Sequence, residues 1–544
     1  MMQANHMKKN QSQQLNRQKR TSFKMRFIMS SCLVLALPAC STLPTQQAIA
    51  PQYAYDIDTH DTSLAQIVEP LKIKNPELTG FHVLYDPIEA IAARFQLIEK
   101  AEKTLDLQYY IWDNDRVGAL ALYKIIQAAD RGVKVRLLMD DNNAKTMESI
   151  YLALDQHQNI DVKLFNPYKF RRLRPVDMIL DLKRINRRMH NKTFTADNQI
   201  TLIGGRNMSN QYYNVSDRYQ FSDVDVMLVG HAVSDITHSF DEYWNHEYAY
   251  PVKNIVNHQQ YTLRYEGLKQ QLQEHFDDGA VRSYVEITRE SHDFDRWLNQ
   301  EIKLDWVKAE VIKDSPEKIK AKAKKEEHLN FQLVERLEKP EKSVDIISAY
   351  FVPERKGEQR LSAIAQDGVK VRVLTNSFKA NDVALVHAFY AKYRQDLLQN
   401  GVELYEFLPA LPEEFQNKNN IEISKQSKVS LKGLSRSSLH AKMMALDDKQ
   451  VFIGSFNFDP RSANLNTEIG VILNSQPLAQ AVHKTMDQNL KKYAYKLVLD
   501  SQNNINWKQA TPEGIKIYTK EPKMKWWQKA SLKVISWLPI EGFM

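Results

Sequence analysis

His190-Asn-Lys192-Thr-Phe-Thr-Ala-Asp197 and His440-Ala-Lys442-Met-Met-Ala-Leu-Asp447 decide the fold, because the second stretch repeats the first at a displacement of 250 residues. The same displacement relates Gly204-Gly205-Arg-Asn207 to Gly454-Ser455-Phe-Asn457. His, Lys, Asp, first Gly and Asn all obey one offset, so the chain reads as an internal duplication. Each copy reads as a strand, a tight turn at Asp197 or Asp447, and a second strand over Ile200–Ile203 or Val451–Ile453.

Upstream of each motif the same order of elements recurs. Leu105–Ile111 and Val344–Tyr350 predict strands, and Leu120–Arg131 and Gln359–Gln366 predict helices. Gly132–Met139 and Gly368–Leu374, which both open with Gly-Val-Lys-Val-Arg, predict second strands. Val162–Phe165 and Val402–Tyr405 follow as a third echo. Parallel strands need a crossover connection, so this order implies an α/β fold in which helices cover a mixed, largely parallel sheet.

In an extended strand residues i and i+2 share a face, so His190 points with Lys192 and His440 with Lys442. That pairing suits a phosphodiester. A neutral imidazole can attack phosphorus while an ammonium holds its anionic oxygens. Asn207 and Asn457 offer neutral donors, and Gly204, Gly205, Gly454 and Ser455 let a substrate approach the backbone. One histidine alone would attack and then lack an acid for the departing alcohol; two supply a nucleophile and a group that acts first as acid and then as base. Each ring needs a carboxylate on its other nitrogen. Asp223 and Glu468, 33 and 28 residues after the histidines of their own halves, are the candidates.

At these residues the sequence resembles the phospholipase D superfamily, whose signature is the duplicated His-x-Lys-x4-Asp followed by Gly-Gly/Ser-x-Asn. The resemblance implies two phospholipase D-like α/β lobes related by a pseudo-two-fold axis, with His190, Lys192, Asn207, His440, Lys442 and Asn457 meeting in one active site between them. It implies a phosphohistidine intermediate, no cofactor and no metal, and a supporting role for Asp197 and Asp447. Leu107-Gln-Tyr-Tyr-Ile-Trp112, Gly204–Asn207 and Trp537-Leu-Pro539 look most like bacterial enzymes of the cardiolipin synthase C type. Phosphatidyl transfer between phospholipid substrates is the activity this implies. The alternative is hydrolysis by a phospholipase D or phosphodiesterase with water as acceptor.

The ends of the chain carry a different signal. A basic stretch ending at Arg26 precedes a 13-residue, mostly apolar run, Phe27–Ala39, too short to span a bilayer, and Leu37-Pro-Ala-Cys40 resembles a bacterial lipoprotein signal. Residues 1–39 are expected to be removed and Cys40 lipidated, which places the protein in the cell envelope, at the outer membrane facing the periplasm. Without that segment 67 basic residues face 66 acidic ones, so bulk charge gives no support for a nucleic-acid partner. An accessory subunit is left open.

The expected organisation is an extension over 40–79, a first lobe over 80–255, a connection over 256–330, a second lobe over 331–500 and a tail over 501–544. Within the connection, the charge run Lys318–Glu327 reads as a solvated face. The basic stretch Lys169–Arg188 fits a solvated helix or a rim that attracts phosphate. Lys523–Pro539, mixing Trp, Lys and aliphatics, fits a membrane-interface helix or a terminal helix packed on its lobe.

Overall fold

The computed structural model describes residue 43 and residues 50–215, 220–290, 296–297, 303–409 and 437–543. The expected signal segment and Cys40 lie outside the described residues. The first lobe is built on strands β1 (Thr79–Leu84), β2 (Thr104–Tyr109), β3 (Lys134–Asp140), β4 (Ile160–Phe165), β5 (Thr193–Ala196) and β6 (Ile200–Gly204). β7 (Gln220–Ser222), β8 (Asp225–Gly230), β9 (Ala249–Pro251) and β10 (Asp305–Val307) follow. The second lobe holds β11 (Ala309–Lys313), β12 (Ser343–Ser348), β13 (Lys370–Asn376), β14 (Glu403–Phe407), β15 (Ser437–Leu439) and β16 (Lys442–Leu446). It continues with β17 (Gln450–Gly454), β18 (Ile469–Leu473), β19 (Ala494–Leu499), β20 (Ile505–Thr511) and β21 (Gly514–Tyr518). The helices that matter below are α1 (Pro87–Lys100), α2 (Arg116–Asp130), α3 (Arg174–Leu180), α4 (His231–Trp244), α5 (Glu354–Gln366), α6 (Pro460–Asn464), α7 (Gln476–Tyr493) and α8 (Trp526–Ile535).

The duplication is visible in the sheets. One runs β10-β1-β8-β6-β5-β2-β3-β4-β9 and the other β11-β18-β17-β16-β12-β13-β14-β19-β20-β21, so seven consecutive strands correspond in order. β2, β3 and β4 are parallel, as are β12, β13 and β14, while β5 and β16 run antiparallel to their neighbours. Every position of β2 is buried, as expected of a central strand covered on both faces. Gly132 and Gly368, which open the repeated Gly-Val-Lys-Val-Arg, sit at φ 104° and 91°, a left-handed conformation that glycine adopts without strain and that ends α2 and α5 in the same way.

Helix starts lie earlier than the apolar periodicity predicts. α2 begins at Arg116 because the Asp115 side chain accepts from Gly118 N–H at 3.0 Å, a cap that hydrophobic spacing does not register. The 256–330 region is integral to both lobes. Helices Tyr265–Asp277 and Gly279–Glu290 pack on α2 and α1, and β10 and β11, separated by Lys308 alone, take the edges of the two sheets. The charge run departs from its solvated reading at Lys318, which is buried with its ammonium 2.8 Å from Asp314 and 2.9 Å from the Ser462 carbonyl. In the tail, β20 and β21 extend the second sheet.

The lobes meet across an apolar layer in which Ile203, Val226 and Leu228 of the first sheet pack with Ala445, Ile453 and Val471 of the second. β7 and β15 add a parallel pair that crosses between the lobes. Asp197 and Asp447 occupy matching left-handed turns, at φ 48° and 47°. Asp197 accepts from the backbone N–H groups of Glu102, Lys103 and Thr104 at 3.0, 2.8 and 2.8 Å, and Asp447 accepts from those of Glu341, Lys342 and Ser343. Each aspartate thus ties its turn to the start of the first strand of its unit. Asp197→Ala strands three N–H donors, and a loss of about 2–4 kcal/mol is expected in denaturant unfolding, with a smaller loss for Asp197→Asn, which keeps one acceptor oxygen.

Candidate functional site

β5 and β16 are each entered through an extended segment that carries the motif histidine, and these two segments reach across to the opposite lobe. His190 N–H donates to the Thr467 carbonyl at 2.9 Å, and Thr467 N–H donates back to Arg188. His440 N–H donates to the Ser222 carbonyl at 2.8 Å. Thr467 and Ser222 immediately precede Glu468 and Asp223, so the backbone bridges deliver each carboxylate to the histidine of the other half.

This corrects the pairing expected within each half. His190 Nδ1 lies 2.8 Å from Glu468 Oε2, and His440 Nδ1 lies 2.6 Å from Asp223 Oδ2. Matching places ahead of an apolar strand show that Asp223 and Glu468 are equivalent, and only the docking of the lobes decides which copy meets which. The two carboxylates are also accommodated differently. A Cβ at Gly205 would lie 2.3 Å from Asp223 Oδ1, so glycine makes room for the shorter acid, whereas Ser455 at the equivalent place donates its hydroxyl to Glu468. A Cβ at Gly204 or Gly454 would strike the Val224 or Ile469 carbonyl at 2.5 Å.

The cage is buried: His190 and His440 are 8% and 7% exposed, and Lys192, Lys442, Asp223, Glu468, Asn207 and Asn457 are buried with them. Lys192 and Lys442 each donate to the carbonyl of the histidine two residues before, and Lys442 Nζ also stands 3.0 Å from His440 Nδ1. Burial, reinforced by Lys192 and Lys442 and opposed by Glu468, pushes His190 down to about 4. Burial and Lys442 push His440 down as well. Burial pushes Lys192 down to about 7 and lowers Lys442. Against their own burial, Asp223 and Glu468 are held low by the histidine and lysine charges around them. Each histidine feels the lysine of the other half, so the four groups form one electrostatic unit.

Asn207 is partly committed to the fold, its Oδ1 accepting from Ile111 N–H at 3.1 Å and its Nδ2 donating to the Tyr212 hydroxyl at 2.8 Å. Asn457 Oδ1 is buried without a hydrogen-bond partner. Asp197 and Asp447 bond backbone outside the cage, as described above. The sequence reading missed the aromatic walls. Tyr110 stands edge-on to His190 at 5.0 Å, and Tyr212 and Phe221 stand 5.2 and 4.9 Å from His440. It also missed Asp459, two residues past Asn457, which burial and the Glu468 charge push up to about 7.

Most of the basic stretch before His190 is paired with acids instead of being free for solvent or phosphate, and Arg172 and Lys183 are its exposed members. Arg171 and Arg174 are tied to Asp141 and Glu148, Arg184 to Asp181, and buried Arg188 to Asp140 and the Asn166 carbonyl, so these arginines fix the path of the chain into His190. Among the described residues one group could hold a cation: His246, Glu247 and Glu317. Lys320 already bonds both carboxylates there, and the group lies apart from the cage residues in its bonding.

The sequence family described as cardiolipin synthase, phospholipase D-like domain matches residues 95–244 and 333–490. Cardiolipin synthase C of Escherichia coli strain K12 is 40% identical over 481 residues, covering 88% of this chain and 99% of that protein. The major cardiolipin synthase ClsA of Bacillus subtilis strain 168 is 23% identical over 402 residues, covering 73% of this chain and 67% of that protein. The crystal structure of phosphatidylserine synthase from Haemophilus influenzae Rd KW20 superposes with a TM-score of 0.53 at 15% identity, over 88% of this chain and all of that one, a likeness of fold.

The crossed pairing is open to direct measurement. A carboxylate on Nδ1 raises its imidazole, so in histidine-labelled protein followed by NMR, Glu468→Gln is expected to drive the His190 titration further down and leave His440 in place. Asp223→Asn is expected to do the reverse. Movement of the histidine in the same half would contradict the pairing.

Proposed function

The chain belongs to the phospholipase D-like family of cardiolipin synthase domains, and from that premise we propose that it transfers a phosphatidyl group between phospholipids through a phosphohistidine. The observation that carries the reading is the crossed cage itself: two histidines, each oriented by a carboxylate of the other lobe, with two lysines beside them. Glu468 accepts from His190 Nδ1–H, which leaves Nε2 with its lone pair free to attack phosphorus. As the P–N bond forms, the P–O bond to the donor's alcohol breaks, and His440 Nε2–H gives its proton to that oxygen. In the second step an acceptor alcohol gives its proton to His440, its oxygen bonds phosphorus, and the P–N bond breaks. Lys192, Lys442, Asn207 and Asn457 face the phosphate oxygens, whose charge grows in each transition state.

A lipid substrate is favoured by the surroundings. A small apolar cavity of about 40 Å³ adjoins Asp223 and Ala441, lined by Ile347, Leu374, Phe407 and Met486 among others, so hydrocarbon side chains reach up to the phosphate cage. The envelope address read from residues 27–40 agrees with such a substrate. Hydrolysis uses the same groups with water as acceptor, so the acceptor decides between the two readings.

The purified protein, given labelled phosphatidylglycerol with an excess of a second glycerophospholipid, is expected to yield cardiolipin as the main labelled product. Phosphatidic acid as the main product would move the assignment to hydrolysis. His440→Ala, lacking the base of the second step, is expected to lose at least about 10²-fold in turnover and to accumulate label on His190 from a donor with a good leaving group. Label on His440 in His190→Ala, without the converse, would exchange the two roles.

The pH profile follows from the same groups. kcat/KM reports the free enzyme. His190 gains a blocking proton only as pH falls through about 4; Lys192 loses its proton as pH rises through about 7, and His440, pushed down by burial and Lys442, loses the proton it donates earlier than an ordinary histidine would. The profile is expected to fall on the acid side near 4 and on the alkaline side at or below about 7. A flat profile to pH 9 would contradict this electrostatic account.

A further inference from the structure

α8 carries Trp526, Ala530 and Val534 along one face at helical spacing with Trp527 beside them, and Trp537 and Leu538 follow in the turn after it. That stripe lies in solvent: Trp526 is 82% exposed, Trp537 72% and Val534 58%. No residue of α8 is buried, although the helix packs on the helix Ala384–Tyr390 through its other side. A frayed tail would expose the same side chains, but this helix is tied down at both ends. Before it, Glu521 takes the buried Arg394 at 2.9 Å and the buried His387; after it, Glu541 accepts from Lys392 at 2.9 Å and from the Tyr393 hydroxyl. The fold therefore holds an apolar, tryptophan-rich stripe outward. Lys525, Lys529 and Lys533 flank it, exposed and without ion pairs among the described residues, and α8 contains no acid.

A second exposed apolar tip stands on α3, where Leu173, Ile179 and Leu180 are 64%, 81% and 50% exposed. The exposed cations Arg172 and Lys183 flank it. α6 joins the two places. Arg461 of α6 bonds Asn186 at 2.8 Å, Arg187 reaches the Asn464 carbonyl at 2.9 Å, and the turn Glu541–Phe543 after α8 packs on the same short helix. α6 begins three residues after Asn457, so the segments that follow α3 and α8 are both anchored on an element that directly succeeds a cage residue.

Tryptophan beside lysine is the composition that rests at a bilayer interface, and unpaired cations are drawn to an anionic headgroup layer. We propose that α8 and the α3 tip form one docking surface for an anionic phospholipid bilayer, which seats the rim of the cage at the headgroups. The proposal deepens the phospholipid reading above by naming how the site meets its substrate, yet its test needs no turnover and can fail separately from that reading.

The full chain is mixed with vesicles of phosphatidylglycerol and phosphatidylethanolamine, and with vesicles of phosphatidylcholine alone. Sedimentation and quenching of tryptophan fluorescence by brominated acyl chains are then read. Tight binding to the anionic vesicles, with quenching, is expected. Trp526→Ser/Trp527→Ser/Trp537→Ser should lower partitioning tenfold or more. Lys525→Gln/Lys529→Gln/Lys533→Gln should lower it roughly fivefold per lysine at low salt and remove the preference for anionic lipid. Ile179→Ser/Leu180→Ser, at the other patch, should also lower it. Because all these side chains are exposed, melting temperatures should not move, which separates lost docking from lost folding. Unquenched parent protein, or α8 variants that partition like the parent, would overturn the proposal. Undiminished binding by the α3 variant would overturn the joint surface. A dimer that the tryptophan changes convert to monomer, with vesicle binding intact, would show that a second copy of the chain covers the face instead.

Discussion

Each motif histidine hands its backbone N–H to a carbonyl of the opposite lobe, at 2.9 Å for His190 and 2.8 Å for His440, and the rest of the site depends on those two bonds. Since the acceptors Thr467 and Ser222 are followed directly by Glu468 and Asp223, the same bridges fix which carboxylate meets which imidazole. The reciprocity is that of a two-fold arrangement: what the first half gives the second, the second returns. Neither lobe alone orients its own histidine, and the cage exists only where the lobes are docked. The apolar layer between the sheets and the β7–β15 pair hold that docking in register.

Burying two ammonium groups, two imidazoles and two carboxylates is costly unless the charges balance and every group finds a partner. With both histidines neutral and both lysines protonated, Lys192 and Lys442 offset Asp223 and Glu468, and the four charges of the cage cancel. A phosphodiester monoanion upsets that balance by one unit, and a proton taken up by one histidine restores it. The arrival of substrate thereby favours the protonation state that the proposed reaction requires, one imidazole neutral and one charged. The lysines, lowered by their own burial, are raised again by the same anion.

Much of this was legible in the sequence because duplication is a strong signal: one offset of 250 residues identifies the motif residues, and the recurrence of Gly-Val-Lys-Val-Arg at Gly132 and Gly368 marks the strand–helix–strand units of a two-lobed α/β fold. What was not legible follows from docking and burial. Their matching places before an apolar strand make Asp223 and Glu468 equivalent but are silent on their exchange between lobes. Charge runs look alike whether solvated or paired, so Lys318 against Asp314, and Arg171 against Asp141 and Glu148, emerge only once the chain has folded back on itself. Nothing in their spacing along the chain sets Tyr110, Tyr212 and Phe221 apart, and their place beside the histidines is a matter of three dimensions.

The central claim is that one phosphorus is served by both halves at once. A crystal structure with orthovanadate, a mimic of the five-coordinate phosphorus of the transfer step, tests it most directly. The account predicts a single vanadate bonded to Nε2 of one histidine, with Nε2 of the other within about 3.5 Å on the opposite side and both lysines on its oxygens. Vanadate bound away from the cage, or held by one histidine with the other about 10 Å distant, would contradict it.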